Sequence, residues 1–226
     1  MNSVMVRKRQ VVRRSDALSK ERIVATAIDI LDSEGEDALT FRALASRLAT
    51  GGGAIYWHVA NKDELLAAAT GNVLDRFIAT ADVGAEPRQV IRAVALGAFD
   101  AIDAHPWVGS QIARAPSGSA MLRIFESIGG QIQAMGVPRA TQFNCASALL
   151  NYILGVAGQN AANARVHPRG TDRTAFLRSV AARWTQQDPA AYPFVHEVAA
   201  QLADHDDREQ FLAGVDLILA GVETVR

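Results

Sequence analysis

The chain has 226 residues, 49% of them hydrophobic, with 23 basic and 24 acidic side chains and a single cysteine. That length allows a sizeable core in one large domain or two unequal ones, and the lone Cys145 excludes an internal disulfide framework and fits a reducing compartment. No apolar run reaches the roughly 18 residues that span a bilayer, and the charged start MNSVMVRKRQVVRR leads into no apolar signal segment, so the expected setting is the cytoplasm, with no membrane partner.

The balanced net charge conceals a basic start. Residues 1 to 22 carry Arg7, Lys8, Arg9, Arg13, Arg14, Lys20 and Arg22 against Asp16 and Glu21. Such an arm attracts polyanions, and it equally suits a solubilising tail. Residues 1–18 are therefore expected to be a flexible basic arm. Beyond it, strand signals are almost absent and apolar residues recur at helical spacing. Ser19 caps a first helix with Ile23, Ala27, Ile30 and Leu31 on one face, and Gly35 ends it. Thr40 caps a short second helix, FRALASRLA. A third covers AIYWHV. Asn61 caps a long fourth, KDELLAAATGNVLDRFIATA, whose acids Asp63 and Glu64 suit the positive end of the helix dipole.

DVGAEP, residues 82–87, is the first clear break. A fifth helix is expected from Arg88 to Ala104, a sixth near WVGSQIARA, and a seventh ending at Met135. A long eighth runs from Arg139 to Arg165 and a ninth from Asp172 to Gln187. A tenth lies near Phe194 to Ala203, followed, after an acidic joint DHDD, by a terminal helix to Val225. The fold class is thus all-α. Residues 19–66 form a three-helix head, and residues 67–226 form a larger helical body.

TGGGAIYWHVANKDELL, residues 50–66, poses the functional question. A phosphate-cradling glycine loop needs a preceding strand, and a helix stands there instead. A helix, a short glycine-containing turn and a second short helix make a helix-turn-helix, whose second helix enters the major groove. Glycines at the turn are expected to supply left-handed backbone angles.

The stretch LTFRALASRLATGGGAIYWHVANKDELL resembles the DNA-binding signature of the tetracycline-repressor (TetR) family of bacterial regulators. YWHVANK is especially similar to the tetracycline-repressor subgroup. HPW at residue 105 and YPFVHEVAAQLADHDDREQFLAGVDLILAGV near the end resemble that subgroup more loosely. The resemblance implies a ligand-responsive repressor that binds palindromic double-stranded operator DNA as a homodimer. It also implies roles. Thr40 would cap the second helix and touch a phosphate, and Arg42 would reach a base edge, where Arg on guanine is the commonest specific contact. Tyr56 and His58 would meet the backbone, and Lys62 would pair with a phosphate. Trp57 is expected to pack inward, as a large indole in a small domain usually does. Residues 51–54 are Gly-Gly-Gly-Ala where many relatives carry polar or proline residues, so readout would fall to Arg42, Thr50, methyl contacts from Ala54 and the basic arm in a minor groove, while Gly52 and Gly53 would let the N–H groups of the helix approach a phosphate closely.

In the body, the terminal helix carries Phe211, Val215, Ile218 and Val222 on one stripe, and the eighth helix carries Leu150, Ile153 and Leu154. These are expected to form a dimer seam of four helices, with intramolecular core as the alternative. Candidate ligand residues are those with aromatic or polar tips on otherwise apolar helices: Phe77, Phe99, His105, Trp107, Gln111, Phe125, Gln159, Asn163 and His167. Tetracycline-binding members of the family place a histidine pair after Leu-Asp-Arg in the fourth helix. Here Phe77 and Ile78 follow, which argues against tetracycline–magnesium and for an apolar or aromatic effector. His105, His167, His196 and His205 are not at metal-ligand spacing, and neither HExxH nor CxxC occurs. No metal, cofactor or catalytic site is expected. A second reading keeps the head as a fold element that no longer reads specific DNA.

Overall fold

The computed structural model describes residues 18–78, 85–115, 118–166, 173–203 and 205–225. Eleven α-helices and one 3-10 turn at Glu36–Ala38 make up the described chain, which contains no strand among the described residues. Two compact units divide between Ala69 and Thr70, three residues past the expected boundary of 66.

The first unit holds α1 (Lys20–Glu34), α2 (Phe41–Arg47), α3 (Gly52–Tyr56) and the start of α4 (Lys62–Phe77). The starts of α1, α2 and α4 are capped as the sequence indicates. Ser19 Oγ accepts from the Arg22 N–H at 3.3 Å and Thr40 Oγ1 from the Ala43 N–H at 3.1 Å. At α4 the cap is reciprocal: Asn61 Oδ1 accepts from the Glu64 N–H at 2.8 Å, and Glu64 Oε2 accepts from the Ala60 N–H at 2.9 Å. Two otherwise orphaned donors are satisfied at once. With Lys20 on its other oxygen, the Glu64 carboxyl is held below its ordinary value, chiefly by the Ala60 N–H. Gly35 ends α1 at φ 84, a left-handed angle that glycine takes without strain. The head closes on Ile23, Ile30, Leu39, Leu44, Ile55, Val59 and Leu65, each at most 1% exposed.

The second unit holds the rest of α4 together with α5 (Pro87–Ala104), α6 (Trp107–Arg114), α7 (Ser119–Ala134), α8 (Arg139–Val166), α9 (Arg173–Trp184), α10 (Pro193–Ala203) and α11 (Asp207–Thr224). Pro87 opens α5 at a position whose N–H has no helical partner anyway, and Glu86 caps it through the Gln89 N–H at 3.2 Å. Helices α5, α7, α8 and α11 pack on one another, while α9 and α10 pack chiefly as a pair. At the centre Phe99 of α5 stacks on Phe211 of α11 (4.7 Å), which stacks on Tyr152 of α8 (5.7 Å). The Tyr152 hydroxyl donates to the Phe211 carbonyl at 3.2 Å and lies across Gly214, where an added Cβ would fall inside the phenol. Arg88 and Arg92 of α5 both grip Asp216 of α11, and the hydrogen bond from Arg92 holds that carboxyl below its ordinary value.

This packing corrects the expected seam. Leu150, Ile153, Phe211, Val215 and Val222 are each at most 7% exposed within a single chain. They are core, because the stripe that looked unpartnered in sequence meets α5 and the facing helix of the same subunit. Leu154 and Ile218 are only partly covered. The outward faces are different residues: Leu217, 76% exposed, flanked by Ala213, Ala220 and Gly221 on α11, and Ala148, Asn151, Gly155 and Gln159 on α8.

Candidate functional site

The head presents α2, a turn and α3. The turn closes through Leu48 N–H to Leu44 O (2.9 Å) and Thr50 N–H to Ala45 O (3.0 Å). Its left-handed residue is Ala49, at φ 51, whereas Gly51 sits at φ −79 and neither Gly52 nor Gly53 has a positive φ. The expectation that the glycines supply the left-handed turn is thereby corrected. A Cβ built on Gly51, Gly52 or Gly53 meets nothing within 4 Å. The chain's own packing does not require glycine there, and these residues bare their backbone outward.

Helix α3 starts two residues earlier than the expected AIYWHV and stops at Tyr56. Tyr56 stacks flat on Phe41 of α2, with ring centroids 4.4 Å apart and planes 7° apart. That stack ties the end of α3 to the start of α2. Trp57 follows the helix and is 90% exposed, contrary to the inward packing expected of it. The reason is geometric: Ile55 and Val59, at 0% and 1% exposure, already fill the inward positions on either side. An exposed indole beside a half-exposed tyrosine is an apolar surface that counting apolar residues cannot distinguish from core. Thr40, Arg42 and Gly53 are exposed, and Thr50, Gly52, Ala54 and His58 are partly so. Lys62 donates to the Glu36 carbonyl at 2.8 Å and is partly buried. One of its three donors is thus used inside the head. All of the basic arm except Leu18 lies outside the described residues.

In the body the predicted ligand residues separate. Phe77, His105 and Trp107 come together, with ring centroids 6.0 and 6.2 Å apart in edge-on contacts, and Gln111 lies one turn along α6 from Trp107. Phe99 is core, 5% exposed against Phe211. Phe125 meets Phe143 of α8 edge-on at 6.1 Å, and Gln159 and Asn163 are exposed on α8. His167 lies outside the described residues. The eight described residues therefore do not line one site.

A cavity of about 280 Å³ opens elsewhere, between α4, α5 and α7. Leu74 of α4 and Ile78 just past its end, Val90 and Val94 of α5, and Ala120 and Ile124 of α7 make its walls. Asp75, Arg123, Ser127 and Gln131 supply polar groups. Among the described residues, no aromatic ring lines it. Arg123 pairs with Asp75 at 2.5 Å. The signal for this site was present on α7, where Arg123, Ser127 and Gln131 recur every four residues beside the buried stripe Ala120, Ile124, Ile128 and Ile132. A polar stripe adjoining an apolar one marks a helix with one edge in the core and the next facing a polar opening. Among the described residues, no group of histidine, cysteine and carboxylate side chains could hold a metal ion, and no helix is long and apolar enough to cross a membrane.

Known proteins supply the comparison. Residues 23–69 match the bacterial regulatory proteins of the tetR family, and residues 85–226 match the tetracyclin repressor-like C-terminal domain. An HTH-type transcriptional regulator of Saccharopolyspora erythraea is 27% identical over 222 residues, 98% of this chain and 94% of that one. The structure of SCO7222, a TetR from Streptomyces coelicolor, matches with a TM-score of 0.85 at 52% identity, covering 92% of this chain and 99% of the other. BioQ, solved with its natural double-stranded DNA operator, matches with a TM-score of 0.58 at 31% identity, over 67% of this chain and 90% of that one.

Proposed function

Because the chain belongs to the tetR family of bacterial transcriptional regulators, a family of DNA-binding regulators rather than of enzymes, we propose that it is a ligand-responsive repressor. Two copies bind a two-fold symmetric operator through their heads, and a small molecule entering the body releases them. The observation that carries the DNA half is the outward face of α2 and α3: exposed Arg42, Tyr56 and Trp57 beside three glycines at which an added Cβ would meet nothing within 4 Å among the described residues. Base edges are read by side chains such as Arg42, while groups that meet sugar and phosphate set the register. BioQ was solved on its operator, which supports the same use of the head here.

The dimer is assigned to the outward faces of α8 and α11. Leu217 on a surface of alanine and glycine lets two such helices approach closely, and it is the exposed large apolar side chain of that face. The effector is assigned to the cavity between α4, α5 and α7. Its aliphatic walls and polar groups suit a compact apolar molecule with one polar end, the apolar of the two kinds of effector that the sequence left open. Release is a population shift, so the effector must bind the DNA-incompetent form more tightly than the competent one. Such a protein works where the bacterial DNA is, in the cytoplasm.

Selection of duplexes from a random pool by the purified protein tests this reading. The expected result is a two-fold symmetric motif whose half-sites lie about 34–36 Å apart, one helical turn. Enrichment of a single unpaired half-site would remove the dimer. Equal, salt-dependent binding of every duplex would instead favour a head that has lost specific readout, the reading that Gly51, Gly52 and Gly53 favour because they offer no side chain to a base.

A further inference from the structure

Three features converge on the last two turns of α4. The first is Gly97, buried on α5. A Cβ there would stand 2.5 Å from the Phe77 carbonyl oxygen, 2.9 Å from its carbon and 3.0 Å from the Ile78 Cα. All three are backbone atoms, so no side-chain rotation could make room. The end of α4 therefore rests directly on the backbone of α5. Val90, Val94 and Gly97 follow one another at four and three residues, along a single stripe of α5.

The second feature is Arg123 of α7. Its guanidinium bonds Asp75 Oδ1 at 2.5 Å and reaches the Gly71 carbonyl at 3.5 Å. Gly71 and Asp75 are one turn apart on α4, so Arg123 lies along that helix. A Cβ at Gly71 would come within 3.1 Å of the guanidinium, so the glycine leaves the space that this close lie uses. The third feature is Asn72, whose Oδ1 is buried with no hydrogen-bond partner among the described residues. An orphaned buried acceptor is costly. The position of α4 in this structure therefore leaves one group that a different position could satisfy.

Leu74, Asp75 and Ile78, which Arg123 and Gly97 hold in place, form the α4 wall of the cavity. The part of the chain that is clamped is thus the part that a molecule in the cavity would press on, and Arg123 itself lines the cavity. We propose that Gly97 and Arg123 form the joint through which occupancy of the cavity reaches α4: Gly97 is the seat, and Arg123 is the clamp. The proposal rests on the assignment of the cavity as the effector site and deepens it by naming what senses occupancy. The chain of α4 continues without a break to Lys62 in the head unit, so unseating its end changes a helix that both units share. Both residues act through α4, which makes them positioning residues.

The test compares Gly97→Ala, Arg123→Ala and the charge-exchanged pair Asp75→Arg with Arg123→Asp, all in the full-length protein without any added small molecule. Two quantities are read: affinity for the duplex enriched by selection, and amide hydrogen exchange along α4. The expected result is that Gly97→Ala and Arg123→Ala each weaken duplex binding by roughly two- to thirtyfold, the range that residues on a coupling route produce. Exchange should quicken over residues 62–69 as well as 70–78, and the exchanged pair should restore both. Arg123 is about half exposed, so its variant folds even where Gly97→Ala does not. Unchanged duplex affinity in Arg123→Ala, with faster exchange that stops at residue 70, overturns the joint and leaves only local packing. The exchange readout needs no operator, so a wild-type protein that enriches no duplex counts against the DNA reading while the joint is still decided by exchange.

Discussion

The head and the body were written by the same local rules, yet they answer differently to a reading of their side chains. In the head, the polar residues expected at the surface are there: Thr40 and Arg42 are exposed, and Tyr56 stands on a stack with Phe41. In the body, Phe99, expected in a ligand site, and Phe211, expected in a dimer seam, stack on each other in one core. The head is small, and its surface is most of it, so a polar residue has few places to go. The body has enough volume to bury a whole helix stripe in its own interior. A stripe of apolar residues states that something covers it, and does not state whether the cover comes from the same chain.

The sharpest way to break this comparison is to truncate the shared stack. Phe211→Ala is expected to destabilise the chain by about 3–5 kcal/mol in denaturant unfolding, independent of protein concentration. Leu217→Glu should do the reverse, leaving the fold within about 0.5 kcal/mol while moving the protein from dimer to monomer in sedimentation. If Phe211→Ala dissociated a stable subunit, the core assignment would be wrong and the seam would return to that stripe.

Next in size is Arg42→Ala in the head. It should cost about 1–3 kcal/mol of affinity for the selected duplex and relax preference at one base position, with no matching fall in melting temperature. An intact preference would move base readout elsewhere, and Trp57 would be the first place to look.

A smaller effect, of opposite sign, is predicted at the turn. Ala49 holds a left-handed angle that costs a non-glycine residue about 1 kcal/mol. Ala49→Gly should therefore stabilise the head by somewhat less than that, since glycine also loosens the unfolded chain. A loss of stability would show that the Ala49 methyl makes a contact worth more than its strain.

The smallest is a pH effect in the body. Arg92, with Arg88 beside it, holds the Asp216 carboxyl below its ordinary value. A carboxyl with a depressed folded value stabilises above its unfolded pKa, about 4, and loses that contribution as pH falls through the folded value. Melting temperature should drop on acidification below about pH 4, and Asp216→Asn should flatten the drop. An identical acid profile in that variant would assign the loss to other carboxylates, Glu64 in the head first among them.

Most of the secondary structure was legible because its determinants are local. Ser19, Thr40 and Asn61 each cap a helix through a bond to a residue three positions on, and Gly35 takes the angle that ends one. The turn was misjudged for a reason of the same scale. Three adjacent glycines are the obvious candidates for a left-handed angle, but the turn closes before they begin, on Ala49. Trp57 differs from expectation because Ile55 and Val59, two residues to either side, take the inward positions and leave the indole on the solvent side.

By itself, then, the sequence determined the all-α class, the order of eleven helices and the helix-turn-helix, since hydrogen bonds and caps act over three or four residues. Its family motif lies in that same contiguous stretch. The cavity was decided only by tertiary structure. Its walls come from three helices spread between Leu74 and Gln131, and nothing in the sequence places Arg123 on Asp75, 48 residues away. The same holds for Gly97, which in sequence is one glycine in a helix and becomes a seat only when the end of α4 is laid across it. Distant contacts are chosen by packing, where volume and close approach are settled for all the helices of the body together.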